Sequence, residues 1–316
     1  MPSRLQITKT PKCYVGGAFI RSESGRVAEL KDANGAFFAN IPQCTRKDLR
    51  NAVEAAAKAG PGWAKRSAFN RGQILYRLAE MMEARSAELA DSLTLSGVSR
   101  AEAAREVAAS IERIVHYAGW TDKYEQILGS VNPVASAHFN FTVTEPMGIV
   151  GILAPDDAPL LGLLSLILPA ITSGNSVVAL ASTTQPYPSI LLGEMLATSD
   201  LPGGVVNLLT GVRGELIPTF ATHEHIRALS GVANAEERKT LRLGAAAFDE
   251  RQGALAERLG AGGERLEADR AVEHRVLGVD VEVDELRGRH RRGRAMLPRA
   301  GAGHNAGARL HAPWGA

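Results

Sequence analysis

Three features of the sequence predict an α/β protein built on a doubly wound parallel sheet, preceded by a hairpin and a helical layer. Residues 46–124 carry apolar side chains at helical spacing, residues after Met147 alternate short apolar runs with helical segments, and those runs are apolar throughout. A strand that is apolar on both faces must be covered on both faces, and right-handed crossovers place helices on each side of a parallel sheet.

Tyr14-Val15-Gly16-Gly17-Ala18-Phe19-Ile20 sets two β-prone pieces around a Gly-Gly turn, and Ser22 to Gly25 follows as a loop. A first helix is expected over Arg46–Gly60, where Leu49, Val53, Ala56 and Ala57 share a face and Thr45 with Asp48 has capping spacing. One long helix is expected from Ala68 to Leu95 on the spacing of Ile74, Leu75, Leu78, Met81, Met82, Leu89 and Leu93. Gly97 ends it, Ser99 caps the next, and Val107, Ile111, Ile114, Val115 and Ala118 carry that stripe towards Tyr124. Ala137 to Thr144 alternates with period two, as a half-buried strand would. Strands then follow at Ile149–Leu153, Ser176–Leu180, Val205–Leu209 and Ile226–Leu229, with helices at Pro159–Thr172, Ser189–Thr198 and Glu215–Thr222 between them.

The domain division expected from this is 1–145 for the hairpin, helical layer and extended strand, 146–245 for the α/β domain, and 246–316 for an Arg/Ala/Gly-rich tail. Beyond Thr240 the chain has no Ile, Lys, Ser or Thr. The run Glu285 to Arg294 keeps no period of 2 or 3.6, so disorder is expected there. A frame change in a GC-rich gene gives the same composition, which translation of the other two frames tests.

The chain has 316 residues, 36 basic and 34 acidic side chains and 45% hydrophobic residues, an ordinary globular composition. The charge balance and the lack of an aromatic platform beside the basic run speak against nucleic acid as a partner. The longest apolar run, Pro159 to Thr172, is shorter than the roughly 20 residues of a spanning helix, so no membrane partner is expected. Two cysteines, Cys13 and Cys44, and no apolar leader point to a reducing cytoplasm. Histidines i and i+2 in His223-Glu224-His225 point apart on a helix and make no zinc site. His116, His138 and the Met81-Met82 pair read as ordinary positions, and no G-x-G-x-x-G, P-loop or Ser-His-Asp grouping occurs.

Several ordered blocks carry a resemblance. Glu145-Pro146-Met147-Gly148-Ile149-Val150-Gly151-Ile152-Leu153-Ala154-Pro155, Gly174-Asn175-Ser176-Val177-Val178 and Leu201-Pro202-Gly203-Gly204-Val205-Val206-Asn207-Leu208-Leu209-Thr210-Gly211 resemble the aldehyde dehydrogenase superfamily. Tyr14-Val15-Gly16-Gly17 and Gly62-Trp63-Ala64 resemble the family's opening, so the likeness runs from Lys12 to Gly231. It implies a Rossmann-like domain for NAD or NADP, a catalytic domain with a nucleophilic cysteine, and an oligomerisation strand pair. The implied chemistry is thiolate attack on an aldehyde, hydride transfer to nicotinamide and hydrolysis of the thioester.

Carried onto this sequence, the resemblance puts Ala154, Pro155, Leu180, Ser182, Thr183, Gly211, Gly214, Ser230 and Gly231 at the cofactor and Asp157 at the oxyanion. Several of these depart from the family. Asp157 replaces the Asn amide, and an ionised carboxylate only accepts. Leu180-Ala181-Ser182-Thr183 replaces Lys-Pro-Ser-Glu, removing the ammonium and carboxylate that hold the adenosine ribose. Arg213 stands where a small residue is usual. The nucleophile is absent, because no cysteine follows Cys44. The sequence therefore predicts an aldehyde dehydrogenase-like chain with the catalytic domain missing, inactive by the family route. It would act as a partner subunit in a homo-oligomer or with an active aldehyde dehydrogenase. The alternative is an active enzyme whose C-terminal half is lost to truncation or a frame error.

Overall fold

The structure is a computed structural model that describes residues 9–258, with side-chain surroundings to residue 247. The strands are β1 (Cys13–Val15), β2 (Ala18–Ile20), β3 (Val27–Lys31), β4 (Phe37–Pro42), β5 (Ser130–Asn132), β6 (Asn140–Thr142), β7 (Ile149–Leu153), β8 (Ser176–Leu180), β9 (Val206–Leu209) and β10 (Ile226–Gly231). The helices are α1 (Arg46–Ala64), α2 (Ala68–Ala84), α3 (Ser86–Thr94), α4 (Arg100–Ala118), α5 (Tyr124–Leu128), α6 (Leu161–Thr172), α7 (Tyr187–Leu196), α8 (Arg213–Thr222) and α9 (Ala235–Arg258). The main sheet runs β10-β7-β8-β9-β1-β2, parallel through β9 and antiparallel where the hairpin adds to its edge.

Alternate residues of each inner strand enter opposite cores. Ile149, Leu153, Val178, Leu180 and Leu209 pack with Leu49, Val53 and Ala56 of α1 and Leu216 and Phe220 of α8. Val150, Ile152, Val177, Ala179, Val206 and Leu208 pack with Leu163, Leu164, Ile167 and Ile171 of α6 and Leu191, Leu192 and Met195 of α7. Helices α2 and α4 join that second core through Leu75, Leu78, Met82, Val107 and Ile114. The doubly wound sheet expected from the apolar runs is present.

Four local expectations are corrected. Helix α1 runs through Pro61 to Ala64, because Trp63 is buried and its Nε1 donates to the Ile171 carbonyl at 2.8 Å, anchoring the last turn. The single helix over 68–95 is two, broken at Arg85 (φ −118°, ψ 22°), whose guanidinium reaches Glu88 and Glu194 at 2.6 Å each. The half-buried strand over 137–144 is a three-residue strand, Asn140–Thr142, paired with β5 and exposed along its whole length. Its apolar side chains are largely uncovered among the described residues, with Phe139 74% and Phe141 57% exposed. The β3–β4 hairpin was not foreseen, because its strands are short and β3 is largely exposed.

The N-terminal hairpin docks on β9 through Asn207, whose Oδ1 accepts from the Gly16 amide at 2.9 Å and whose Nδ2 donates to the Gly204 and Val177 carbonyls. Backbones meet here: a Cβ on Gly17 would lie 2.9 Å from the Gly203 Cα, so both positions need glycine. Asp48 ties the loop after the hairpin to α1, accepting from Ser22 Oγ, the Glu23 amide and the Thr45 amide. No described helix is long and apolar enough to cross a membrane. Helix α9 spans the 245/246 boundary drawn from composition, and residues 259–316 of that tail lie outside the described residues.

Glu106 of α4 caps α6 from outside, its Oε1 accepting from the Leu160 and Leu161 amides at 3.0 and 3.1 Å. Burial, with a smaller contribution from the charge of Asp157, raises its carboxyl above the ordinary range despite those amides. A raised value favours the protonated native form and costs stability where the group is ionised. Glu106→Gln, which keeps the acceptor without the charge, is expected to be at least as stable as the parent in urea at pH 7. Glu106→Ala is expected to lose about 1 kcal/mol, as a lost cap does.

Candidate functional site at the sheet switch point

In an open parallel sheet, ligands bind outside the carboxyl ends of the strands where the winding reverses. Here that point lies between β10 and β7, because β8 and β9 follow on one side of β7 and β10 returns on the other. The loops that begin at Ala154, Ala181, Thr210 and Val232 leave the carboxyl ends of β7, β8, β9 and β10. A separate cavity of about 340 Å³, lined by Ala56, Pro61, Pro146, Met147, Gly174 and Arg227 among others, lies at the opposite ends of β7 and β8 and holds none of the residues that the resemblance puts at the cofactor or the oxyanion.

Arg213, the first residue of α8, lies across the switch point. Its Nη1 donates to the Ala154 carbonyl at 3.0 Å and its Nη2 to the Val232 carbonyl. Its Nε and Nη2 hold the two carboxylate oxygens of Glu237 at 2.8 and 3.1 Å. The two side chains are 13% and 17% exposed. Glu237 also caps α9: its Oε2 accepts from the Asn234 amide and its own amide donates to Asn234 Oδ1, both at 2.9 Å. Burial opposes ionisation of Glu237, yet Arg213 and the Asn234 amide outweigh it and hold the carboxyl below its ordinary value.

Asp156 organises the turn after β8. Its Oδ1 accepts from Ser182 Oγ at 2.7 Å and from the amides of Thr183 and Thr184 at 2.8 and 3.3 Å. Partial burial works against its charge, but these donors and the nearby Arg213 together keep its carboxyl below the ordinary 3.8.

The sequence-derived residues divide into two groups. Ala154, Ser182, Thr183, Ser230 and Gly231 come together at the strand ends, and Gly211 and Gly214 flank Arg213. Gly231, at φ 142°, runs so close to β7 that a Cβ would strike the Leu153 carbonyl oxygen. Pro155 is buried beneath the loop, where a Cβ on Gly162 would strike its ring. Leu180 is buried in the α1 and α8 core and presents no side chain to the crevice. Asp157 is exposed and makes no hydrogen bond among the described residues. Sequence reasoning missed Glu237 and the part played by Asp156; the capping spacing of Asn234 and Glu237 was the available signal for the first.

The sequence pattern of the aldehyde dehydrogenase family matches residues 19–246. The chain belongs to the aldehyde dehydrogenase family. It is 31% identical over 239 residues to retinal dehydrogenase 2 of Mus musculus, covering 74% of this chain and 46% of that protein. It is 30% identical over 232 residues to the cytosolic 10-formyltetrahydrofolate dehydrogenase of Homo sapiens, covering 71% and 25%. A solved NAD+ complex of an aldehyde dehydrogenase from Bacillus cereus superposes with a TM-score of 0.73 at 25% identity, covering 76% of this chain and 50% of that one. The chain thus spans about half the length of the first relatives it matches.

Aldehyde dehydrogenases bind NAD or NADP by family, and the residues of this crevice do not fit that group as they stand. The carbonyls of Ala154 and Val232 and the Glu237 carboxylate already take the Arg213 donors. Position 180 supplies no ammonium. The two cysteines also lie elsewhere, beside β9: Cys13 of β1 and Cys44 before α1 are 1% and 0% exposed, with their Sγ atoms 3.4 Å apart. The hydrogen bond with Cys13, and burial after it, push the Cys44 thiol far above the ordinary range. Among the described residues, no cluster of three metal-ligating side chains occurs.

Replacing Asp156 by Ala should lower the urea unfolding free energy by about 1 kcal/mol at pH 7 through loss of the turn's acceptor. Because the folded carboxyl is depressed, its ionic contribution is complete above 3.8 and disappears as pH falls through the lower folded value. The gap between the parent and Asp156→Asn should accordingly close on acidification below that value, as read from urea midpoints across the acid range.

Proposed function

We propose that this chain is a non-catalytic member of the aldehyde dehydrogenase family: a dinucleotide-fold half that works as a cytoplasmic partner subunit, with itself or with an active aldehyde dehydrogenase. The observation that carries this reading is the position of its thiols. The family reaction needs an accessible thiolate facing substrate and nicotinamide. Both cysteines of this chain are instead packed against each other and against Thr210, whose Oγ1 lies 3.2 Å from Cys13 Sγ. Asp157, at the position of the family's oxyanion amide, brings a negative charge where a developing oxyanion needs a donor.

The exposed β5–β6 ribbon supports association. Val131, Phe139, Phe141 and Val143 are all exposed, and a two-stranded ribbon with an uncovered apolar face is a surface for another chain. The second reading, an active NAD- or NADP-dependent enzyme whose C-terminal half is lost to truncation or a frame error, is favoured by the half-length match to relatives. Resequencing the gene across the codons for Leu229 to Gly262, with the intact mass of the protein, separates the two.

The purified chain should oxidise no aldehyde with NAD or NADP above a no-protein control. Turnover that survives Cys13→Ser and Cys44→Ser would overturn the reading. Light scattering should find an oligomer, and Phe139→Ser with Phe141→Ser should shift it towards the monomer while circular dichroism stays unchanged.

A further inference from the structure

The crevice at the switch point is occupied by the protein's own charges. Three loops that a ligand would have to part, those following β7, β9 and β10, are stitched together by one guanidinium. Arginine has five N–H donors, and here four of them are spent on two backbone carbonyls and both oxygens of one carboxylate. Phosphate recognition at such a crevice draws on free backbone amides at a helix N-terminus and on a free cation. The cation is taken at this point, and part of the helix N-terminus with it. The amides of Asn234 and Glu237 at the start of α9 are closed into a reciprocal cap, and the cation is paired. The charge balance adds to this: Arg213 is matched by Glu237, and Asp156 leaves the rim with one further negative charge. The two phosphates of a dinucleotide would meet the Glu237 and Asp156 carboxylates, with four of the five Arg213 donors already taken.

We infer that the Arg213–Glu237 pair is a latch that closes the switch-point crevice against NAD, NADP and other phosphate-bearing ligands. The inference rests on the crevice being the dinucleotide site of the family fold. It goes beyond the absence of a nucleophile, because a chain without a catalytic thiol is still free to bind a cofactor. Opening the latch means withdrawing Arg213 from two loops and Glu237 at once, so a ligand meets only the fraction of molecules in which this has happened. Removing one partner of a partly buried charge pair strongly disfavours the closed arrangement, which makes each residue a lever on the crevice.

The test is binding of NAD and of NADP by calorimetry, with aldehyde absent, on the full chain and three variants. The parent should give no saturable heat at millimolar nucleotide. Arg213→Ser should bind at least tenfold more tightly than the parent, and Glu237→Gln should lie between them. Arg213→Lys, which keeps a donating cation beside the two carbonyls and Glu237, should bind more weakly than Arg213→Ser. Equal affinity in parent and Arg213→Ser would overturn the latch, as would failure of both Arg213→Ser and Glu237→Gln to bind or binding by Arg213→Lys as tight as by Arg213→Ser. Independently of any variant, the Arg213 Nε proton should exchange with water at least tenfold more slowly than those of exposed arginines, and exchange at their rate overturns the closed state. Catalytic silence is read separately from aldehyde turnover, so a parent that binds NAD without oxidising aldehyde would sink the latch and leave the non-catalytic reading standing.

Discussion

Burial of the inner strands on both faces is the constraint from which the remaining architecture follows. A strand such as Ser176–Leu180 has no face to give to water, so α1 and α8 must lie on one side of the sheet and α6 and α7 on the other. That arrangement makes the winding reverse at β7, and the reversal makes a crevice beyond the ends of β7 and β10. The crevice is thus a by-product of packing, present whether or not a ligand ever enters it. What the chain does with it depends on a few polar side chains at its mouth, none of which the hydrophobic core requires.

The parts of this structure that were legible in the sequence are those governed by local periodicity. Ser176–Leu180 is found at the limits expected, and the α6 segment is placed to within two residues. The failures share a cause, which is that distant residues decided a local matter. Pro61 reads as a helix end, but the Trp63 indole reaches Ile171, 108 residues on, and holds the last turn in register. Arg85 interrupts an otherwise continuous apolar stripe because Glu194, 109 residues away, draws its side chain outward. In Ala137 to Thr144 the alternation was real, yet alternation reports only that one face is apolar and not that anything covers it.

The same distinction applies at the candidate site. Arg213 stood out as a bulky residue among glycines, but its partners follow from the fold alone: Ala154 is 59 residues before it and Glu237 is 24 after. Asp156 and Asp157 are neighbours in one loop with opposite fates, the first held by three donors and the second left to solvent. Motif alignment ranked Asp157 as the residue of interest, whereas hydrogen bonding gives the structural work to its neighbour. Leu180 is a similar case, since a position that the resemblance puts at the cofactor is here part of the core.

The N-terminal hairpin has a consequence for the order in which the molecule is made. Gly16 is joined to Asn207 across 191 residues, and β1 cannot take its place in the sheet until β9 exists. At typical synthesis rates of about 5 to 20 residues per second, the hairpin waits roughly 10 to 40 s on the ribosome with its buried face uncovered. During that interval the two thiols and Tyr14, later sealed beneath α1 and α7, are uncovered. Of the six strands of the sheet, β1 is therefore the first to be synthesised and must wait for β9, its neighbour in the sheet, to be made.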